Sequence, residues 1–255
     1  MSRRPVGPGR RLGAIAAGVL LFALFTGLGV WQLQRLAWNE DLIARVDARV
    51  QAPPVAAPGP ARWAQVAAKA YEYRHVRLSG RFENERETLV QAVTKAGPGF
   101  WVMTPLRTDA GYEVLINRGF VPAALAPRAA RTAGLIAGPV TVTGLLRISE
   151  PHGGFLRANQ PAAGRWYSRD VAAIALARGL PQAAPYFIDA DATPNPGGWP
   201  RGGMTVIRFR NSHLAYALTW FGLAAMVALW GAWPMAAARS RRPSSGADLA
   251  PAHGS

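Results

Sequence analysis

Residues 12–34 read LGAIAAGVLLFALFTGLGVWQLQ, a stretch of 23 residues without a charged side chain. At about 1.5 Å per residue it forms a helix of about 34 Å, enough to cross a hydrocarbon core of about 30 Å. A cleaved signal peptide has a shorter apolar region, of about 7–15 residues, followed by small residues. The stretch here is longer and contains Trp31 near its end, a residue typical of the membrane–water interface. We therefore predict a retained transmembrane helix at 12–34.

A second uncharged stretch lies near the other end of the chain. Residues 211–236 read NSHLAYALTWFGLAAMVALWGAWPMA and predict a second transmembrane helix. Positive charges outside the ends of such helices favour the cytoplasmic side of the membrane. Seven arginines lie there: Arg3, Arg4, Arg10, Arg11, Arg239, Arg241 and Arg242. We predict cytoplasmic tails at 1–11 and 237–255 and an extracytoplasmic domain at 35–210.

Small residues occur along both predicted helices, where they let two backbones approach closely in lipid. These residues include Gly27, Gly29, Ala215, Gly222, Ala224 and Ala225. We predict that the helices pack against each other just before Trp31. Gly29→Glu should then be more damaging than the same change at Gly111, which lies in a predicted turn.

The 176 residues between the predicted helices are of ordinary single-domain size. Apolar residues at helical spacing continue the first helix beyond residue 35, until the proline-rich linker at 53–60. Stretches rich in β-branched and aromatic residues follow, and turn sequences at 95–99 and 108–111 indicate adjacent hairpins. The predicted strands are 76–82, 88–93, 100–106, 112–121, 140–148, 186–188 and 204–209.

One helix interrupts the predicted strands. Ser168 is placed to cap its first turn, and Gly179 is placed to end it before a proline. Its predicted apolar face consists of Val171, Ile174, Ala175 and Leu176. The domain is therefore predicted to be a barrel or sandwich. The fold class of the whole chain is α+β, with two transmembrane helices flanking a mostly antiparallel, β-rich extracytoplasmic domain.

The sequence lacks recognisable catalytic and metal-binding motifs. It contains no Cys, which excludes thiolate ligands, and the four histidines are widely separated: His75, His152, His213 and His253. Asp189 and Asp191 form one close acidic pair, for which a solvated loop is favoured over a cation site. We predict no enzyme active site. Residues 35–210 carry 22 basic and 13 acidic residues, a balance that favours anionic lipid headgroups or an acidic partner.

His213 stands at the start of the second predicted helix. If Trp233 marks the inner membrane boundary, His213 lies about 30 Å away, near the outer boundary and close to the depth of Trp31. Tyr216 and Trp220 follow at helical spacing on the same face.

This arrangement fits two interpretations. A neutral imidazole can ligate haem iron, aromatic side chains can pack on a porphyrin, and Arg35, Arg208 or Arg210 can pair with its propionates. Alternatively, His213 is an ordinary interfacial histidine that hydrogen-bonds a neighbouring helix or lipid. The residues alone favour the second interpretation.

Several segments, taken together, resemble the SURF1 family of cytochrome c oxidase assembly factors. In family order they are GVWQLQRLAW at 29–38, FWVMTPL at 100–106, VLINRGFVP at 114–122, VTVTGLLR at 140–147, NQP at 159–161, WYSRD at 166–170 and NSHLAYALTWF at 211–221. The sequence departs from the family pattern at Asn39, where a basic residue is usual, and at Phe120, where tryptophan is common. The ordered combination between two apolar stretches makes the resemblance specific.

The resemblance implies a non-enzymatic, multi-pass protein of the bacterial inner membrane. Such a protein binds haem a and assists its insertion into subunit I of cytochrome c oxidase. Subunit I and haem a synthase are the implied protein partners, membrane lipid surrounds the helices, and no nucleic acid is involved. A structural scaffold for oxidase subunits, without haem, is the alternative.

The resemblance also implies roles for individual residues. His213 matches the candidate axial ligand, and haem iron is the only metal expected. Tyr216 and Trp220 are candidates for packing on the haem, and Trp31, Gln32 and Arg35 either line the haem site or anchor the helix at the interface. Asn117, Arg118 and Gly119 fit two interpretations. They form either a loop that docks a partner or binds a propionate, or a turn at the end of a strand in which Arg118 makes a structural ion pair. The turn is favoured.

Overall fold

The computed structural model describes residues 8–151, 153–154, 157–207 and 211–239. These form two compact units: one contains the described parts of 1–42 and 209–255, and the other contains those of 43–208. The residues Arg3, Arg4, His152, Arg208, Arg210, Arg241, Arg242 and His253 lie outside the described residues. Four of the seven arginines on which the orientation prediction depends, Arg3, Arg4, Arg241 and Arg242, are thus known from the sequence only.

Two long apolar helices dominate the first unit. Helix α1 runs from Pro8 to Gln51 and continues into the second unit, as the helical spacing predicts, and α4 runs from His213 to Arg239. Both are long and apolar enough to cross a membrane by length and composition. In the most apolar 18-residue stretch of each helix, only 6% of α1 and 11% of α4 is buried. The core helix of a soluble protein is mostly buried. These exposed apolar helices are typical of a membrane-anchored protein.

The second unit is built around a mixed β-sheet. Its strands are β1 (Val55–Ala56), β2 (His75–Phe82), β3 (Thr88–Thr94), β4 (Gly97–Thr108), β5 (Glu113–Pro122), β6 (Pro139–Ile148) and β7 (Ala183–Ala190). The strand order is β1-β2-β6-β7-β5-β4-β3, and β2 also pairs with β4. Five strands therefore close into a barrel, β2-β6-β7-β5-β4, which decides between the predicted barrel and sandwich. The β1–β2 and β5–β7 pairs are parallel, and the other pairs are antiparallel.

Two apolar clusters fill the two sides of the barrel wall. All five barrel strands contribute alternate residues to the first cluster, which includes Val76, Leu106 and Ile188 and occupies the interior. The second cluster lies on the outside, where helix α3 (Val171–Arg178) covers residues such as Leu115 and Phe187. Because successive side chains of a strand point to opposite faces, apolar residues pack on both the inner and the outer side of the barrel.

Helix α3 forms where predicted, but two details of the prediction are wrong. Asp170 is the N-cap, because its side chain accepts a hydrogen bond from the backbone N–H of Ala173. The hydroxyl of Ser168 instead accepts hydrogen bonds from Gly153 and Asn159. Leu176 is 86% exposed because it lies two residues, or about 200°, from the buried Ile174. Gly179 ends the helix as predicted, at a φ of +62°.

Two further differences concern the ends of the domain. The predicted linker at 53–60 contains the short strand β1, which pairs with β2. The predicted strand at 204–209 is wrong for 204–207, which form no strand, and 208–210 lie outside the described residues. In this segment, Thr205 donates its hydroxyl hydrogen to Asp189 instead of its backbone joining the sheet.

The remaining α-helix of the described residues is the short α2 (Ala68–Tyr71). It precedes β2, and Arg49 at the end of α1 donates hydrogen bonds to the carbonyl oxygens of Lys69 and Glu72. These bonds use carbonyl groups that the end of a short helix leaves without helical partners. The domain part of α1 is thereby joined to the start of the barrel.

Candidate functional site

A hydrogen bond joins the two long helices at His213. Its Nδ1 lies 2.8 Å from Oε1 of Gln32. A carbonyl oxygen can only accept, so the imidazole donates from Nδ1, and Nε2 of the neutral ring keeps its lone pair. Gln32 therefore selects the tautomer in which His213 can ligate a metal ion through Nε2.

The surrounding helix contacts are close and apolar. The rings of Phe25 and Trp220 stack with centroids 5.8 Å apart and an interplanar angle of 23°. Gly29 is buried, and a Cβ atom built there would lie 2.6 Å from Cε1 of Phe221. Ala217 and Ala224, one heptad apart on α4, are 1% and 3% exposed. The His213–Gln32 pair thus stands at one end of a packed helix–helix seam.

The small residues of the two helices differ in their environments. The predicted close approach is confirmed at Gly29, and Ala224 is buried as predicted. The prediction is wrong for Gly27, because nothing lies within 4 Å of a Cβ built there. It is also wrong for Ala215, Gly222 and Ala225, which are exposed. Helical geometry explains the difference between Gly27 and Gly29, since two residues correspond to a rotation of about 200°.

The remaining predicted site residues lie beside the seam. Tyr216 and Trp31 are each 52% exposed. The guanidinium carbon of Arg35 lies 4.8 Å from the ring centroid of Trp38. The structure thus brings together His213, Gln32 and Trp220 in the seam, while Tyr216, Trp31 and Arg35 present surface to the surroundings. Sequence reasoning missed Phe25 and Phe221, although Phe25 lies one heptad before Gln32 and could have been found by that spacing.

In the barrel domain, Asp189 is the centre of a buried ionic network. It is 3% exposed and accepts hydrogen bonds from Arg147 at 2.9 Å, Arg169 at 3.1 Å and Asn117 at 2.7 Å. Burial lowers the pKa of Arg147, but the charge of Asp189 and the contact with Glu72 outweigh this, so its pKa is raised above the ordinary value. The predicted solvated loop is therefore wrong for Asp189, since its partners come from distant strands and loops.

The segment Asn117–Arg118–Gly119 lies inside β5 and not in a strand-end turn, so that part of the prediction is wrong. Gly119 has a φ of +122°, and a Cβ there would meet the carbonyl of Arg201, so glycine is required by backbone geometry. The predicted structural ion pair is also wrong within the described chain, where Arg118 makes none. It donates hydrogen bonds to Gly134 O and Asn195 Oδ1.

A search of the described residues finds no group of three or more His, Cys, Asp or Glu side chains that could together hold a metal ion. His75, which begins β2, lies 2.8 Å from the carbonyl oxygen of Ala52 through its Nδ1 and stands in the barrel domain. Metal ligation at the helix seam would therefore depend on His213 as a single protein ligand, with Gln32 as the group that orients it.

Two exposed apolar helices carrying a small β-barrel domain define a class of membrane-anchored protein, and comparison with known proteins specifies it further. A family model described as the SURF1 family matches residues 19–225. Surfeit locus protein 1 of Mus musculus is 36% identical over 229 residues, which cover 83% of this chain and 72% of the mouse protein. The human protein of the same name is 36% identical over 222 residues, covering 80% and 72%. A SURF1-like protein of Monosiga brevicollis is 40% identical over 220 residues, covering 80% and 81%.

The chain belongs to the SURF1 family, as its motifs predict. The matched region, residues 19–225, contains the whole barrel domain, Gln32 and His213. The barrel and the parts of α1 and α4 that carry Gln32 and His213 are thus within the part of the chain that the family shares.

Asp189→Asn is expected to destabilise the barrel domain by about 1.5–3 kcal/mol, because it removes charge-assisted hydrogen bonds to a buried carboxylate, while Glu72 and Glu150 still pair with Arg147 and Arg169. Chemical unfolding of the detergent-purified protein, followed by tryptophan fluorescence, measures the change. Asp191→Asn is the matched control, since Asp191 accepts one backbone hydrogen bond from Thr193 and takes no part in the ion pairs of the described residues. Equal stability of the two variants would contradict a structural role for the Asp189 network.

Proposed function

We propose that this protein is a membrane-anchored assembly factor for a haem-copper cytochrome c oxidase, that it binds haem a, and that it assists haem insertion into subunit I. Membership of the SURF1 family supports the assembly role. The observation that carries the haem proposal is the hydrogen bond from His213 Nδ1 to Gln32 Oε1. It leaves Nε2 as a lone-pair donor at the end of the helix seam.

The donor set fits a haem iron. Metal-ligating histidines commonly donate their second ring N–H to a neighbouring oxygen, which fixes the ring orientation and raises the basicity of the ligating nitrogen. Gln32 provides such an oxygen without adding a charge near hydrocarbon, where a carboxylate is costly. His213 would therefore hold the iron through Nε2, and the bound haem would supply the redox-active centre that the oxidase needs.

The side chains beside the seam have surfaces that suit a porphyrin. Trp220 is fixed by its stacking on Phe25, and the half-exposed rings of Tyr216 and Trp31 provide further aromatic surface. The guanidinium of Arg35 lies over the ring of Trp38, 4.8 Å from its centroid, and a guanidinium beside an aromatic ring can still bind a carboxylate through its N–H groups. We assign packing on the macrocycle to the aromatic residues and propionate pairing to Arg35.

In this proposal the protein lies in the bacterial inner membrane with transmembrane segments at 12–34 and 211–236. Both tails are cytoplasmic, because arginines flank the outer ends of the two helices. The domain at 35–210 is periplasmic and docks on oxidase subunit I and on haem a synthase. Its net positive charge favours an acidic docking surface or anionic lipid headgroups.

The orientation leads to a direct labelling prediction, because the chain contains no Cys. In Asp109→Cys, a single thiol lies in the exposed turn between β4 and β5 and should react with an impermeant maleimide in spheroplasts. Ser2→Cys and Ser244→Cys should react only after the membrane is permeabilised. Labelling of all three thiols from the same side would contradict the two-span topology.

A structural scaffold without haem is the second candidate function. The His213–Gln32 hydrogen bond is also the kind of contact that holds two helices together in lipid, so the same observation supports it.

An absorption spectrum separates the two functions. The protein purified from cells that make haem a should show a Soret band and a haem a band. The same protein from cells that lack haem a synthase should lose the haem a band. Absence of any haem band in intact protein from both cells would favour the scaffold.

A further inference from the structure

A small cavity of about 140 Å³ lies in the barrel domain. Phe82, Ile116, Ile136 and Val140 supply apolar wall, and Arg118 is the cationic residue that lines it. A volume of this size accommodates a group of a few non-hydrogen atoms. The cavity is partly open, so a ligand can enter without unfolding of the barrel.

Arg118 is almost completely covered, with only 1% of its surface exposed. Its Nη2 donates to Gly134 O at 2.6 Å and to Asn195 Oδ1 at 2.8 Å, and its guanidinium lies 4.4 Å from the ring centroid of Phe82. Its buried Nε has no hydrogen-bond partner among the described residues. A buried guanidinium N–H without an acceptor is costly, and an oxygen atom of a molecule in the cavity would satisfy it.

The charges around Arg118 do not balance. Arg131 pairs with the carboxylate of Glu87, and no described carboxylate pairs with Arg118. Burial lowers the pKa of Arg118 to about 10, with the charge of Glu87 opposing this change and that of Arg131 adding to it. Arg118 is therefore still a cation at pH 7, and the group of Arg118, Arg131 and Glu87 has one positive charge in excess. Asp191 also lines the cavity, but it is only half-buried and forms no ion pair with Arg118 among the described residues, so it offsets this charge incompletely. Buried charges in proteins are normally compensated, so an anion is expected here.

We propose that this cavity binds a short aliphatic carboxylate, with Arg118 as the residue that binds the anionic group. One carboxylate neutralises the single excess positive charge and accepts hydrogen bonds from a guanidinium in a planar arrangement. The apolar wall suits a stem of a few carbon atoms.

A dianion such as phosphate fits the cavity less well. Asp191 also lines it, and its Oδ1 accepts a hydrogen bond from the backbone N–H of Thr193. The negative charge of Asp191 disfavours a second negative charge on the ligand. The inference concerns the barrel domain alone and does not rest on the proposed haem function.

The test uses sodium propionate with the full-length protein in detergent. Saturation-transfer NMR should detect contact of the propionate methyl and methylene protons with the protein, and inorganic phosphate at equal ionic strength should compete weakly. Arg118→Gln should weaken propionate binding at least about tenfold, since it removes a charge-assisted contact. Arg77→Gln is the control, because Arg77 is an exposed arginine of β2 and does not line the cavity.

A second variant guards against misfolding of Arg118→Gln. Ile136→Phe fills part of the cavity and keeps Arg118, so it should also abolish the propionate signal while the unfolding temperature stays near that of the unchanged protein. If Arg118→Gln does not fold, Ile136→Phe decides alone. Any one of three results overturns the proposal. These are propionate binding that survives Ile136→Phe, phosphate binding that is tighter than propionate binding, and no saturation transfer to propionate in the unchanged protein.

Discussion

His213→Ala should abolish or strongly reduce the Soret absorption of the purified protein while its amount in the membrane stays nearly unchanged. Iron ligation needs the Nε2 lone pair, which alanine lacks, whereas the half-buried imidazole contributes little buried apolar area to the fold. His213→Met should retain part of the absorption, because a thioether sulfur can also ligate haem iron. The measurement is haem content per mole of protein.

Two matched variants make this experiment decisive. His75→Ala removes a histidine whose Nδ1 also contacts an oxygen but which lies in the barrel domain, so haem content should be unchanged. Gln32→Leu keeps the ligand and removes only its orienting oxygen, so haem affinity should fall about 10–100-fold. Intact His213→Ala protein with unchanged haem content would exclude His213 as the ligand and favour the scaffold function.

Gly29→Glu is expected to separate the two long helices and thereby to reduce both haem retention and oxidase assembly. A Cβ at this position would lie 2.6 Å from the ring of Phe221, so the aromatic ring has to move even before the carboxylate is accommodated. Overpacking of this kind costs about 1–3 kcal/mol. Because 1–3 kcal/mol corresponds to a factor of about 5–150, the ratio of packed to separated helix pairs should fall by about that factor.

Gly27→Glu is the control for this prediction. It introduces the same side chain about 3 Å along the same helix, at a position where nothing lies within 4 Å of a Cβ. Gly111 is a poorer control, because its φ of +90° makes any side chain there a source of strain. Haem content and oxidase activity are compared at equal protein levels. Equal effects of the two glutamates would show that charge alone, and not helix packing at Gly29, causes the damage.

Periodicity in the sequence predicts those parts of the fold that depend on local pattern. Alternating apolar residues locate six of the seven strands, and the uncharged stretches locate both long helices. The short β1 was missed because two residues such as Val55 and Ala56 carry no detectable alternation. The alternation does not distinguish a barrel from a sandwich, because the β2–β4 contact depends on sheet twist and on pairing over a long sequence separation.

Side-chain partners at long range are the part that the sequence could not predict. Asp189 follows a predicted strand, but its partners Arg147 and Arg169 lie 42 and 20 residues earlier. No spacing rule connects those positions, so a solvated loop was the simpler interpretation. The His213–Gln32 contact joins residues that are 181 positions apart in the chain. The sequence predicts this contact in part, because residues at the same depth of two predicted transmembrane helices can meet.

The position of β7 in the barrel imposes an order on the maturation of the domain. It is the last strand in the chain, yet it lies between β5 and β6, which come earlier. While a ribosome is still synthesising residues before 183, β5 and β6 both present open edges, which are sites of unwanted association between chains. Synthesis of almost the entire domain must therefore precede closure of the barrel. A cell that synthesises this chain slowly therefore holds an aggregation-prone intermediate for the whole of that interval.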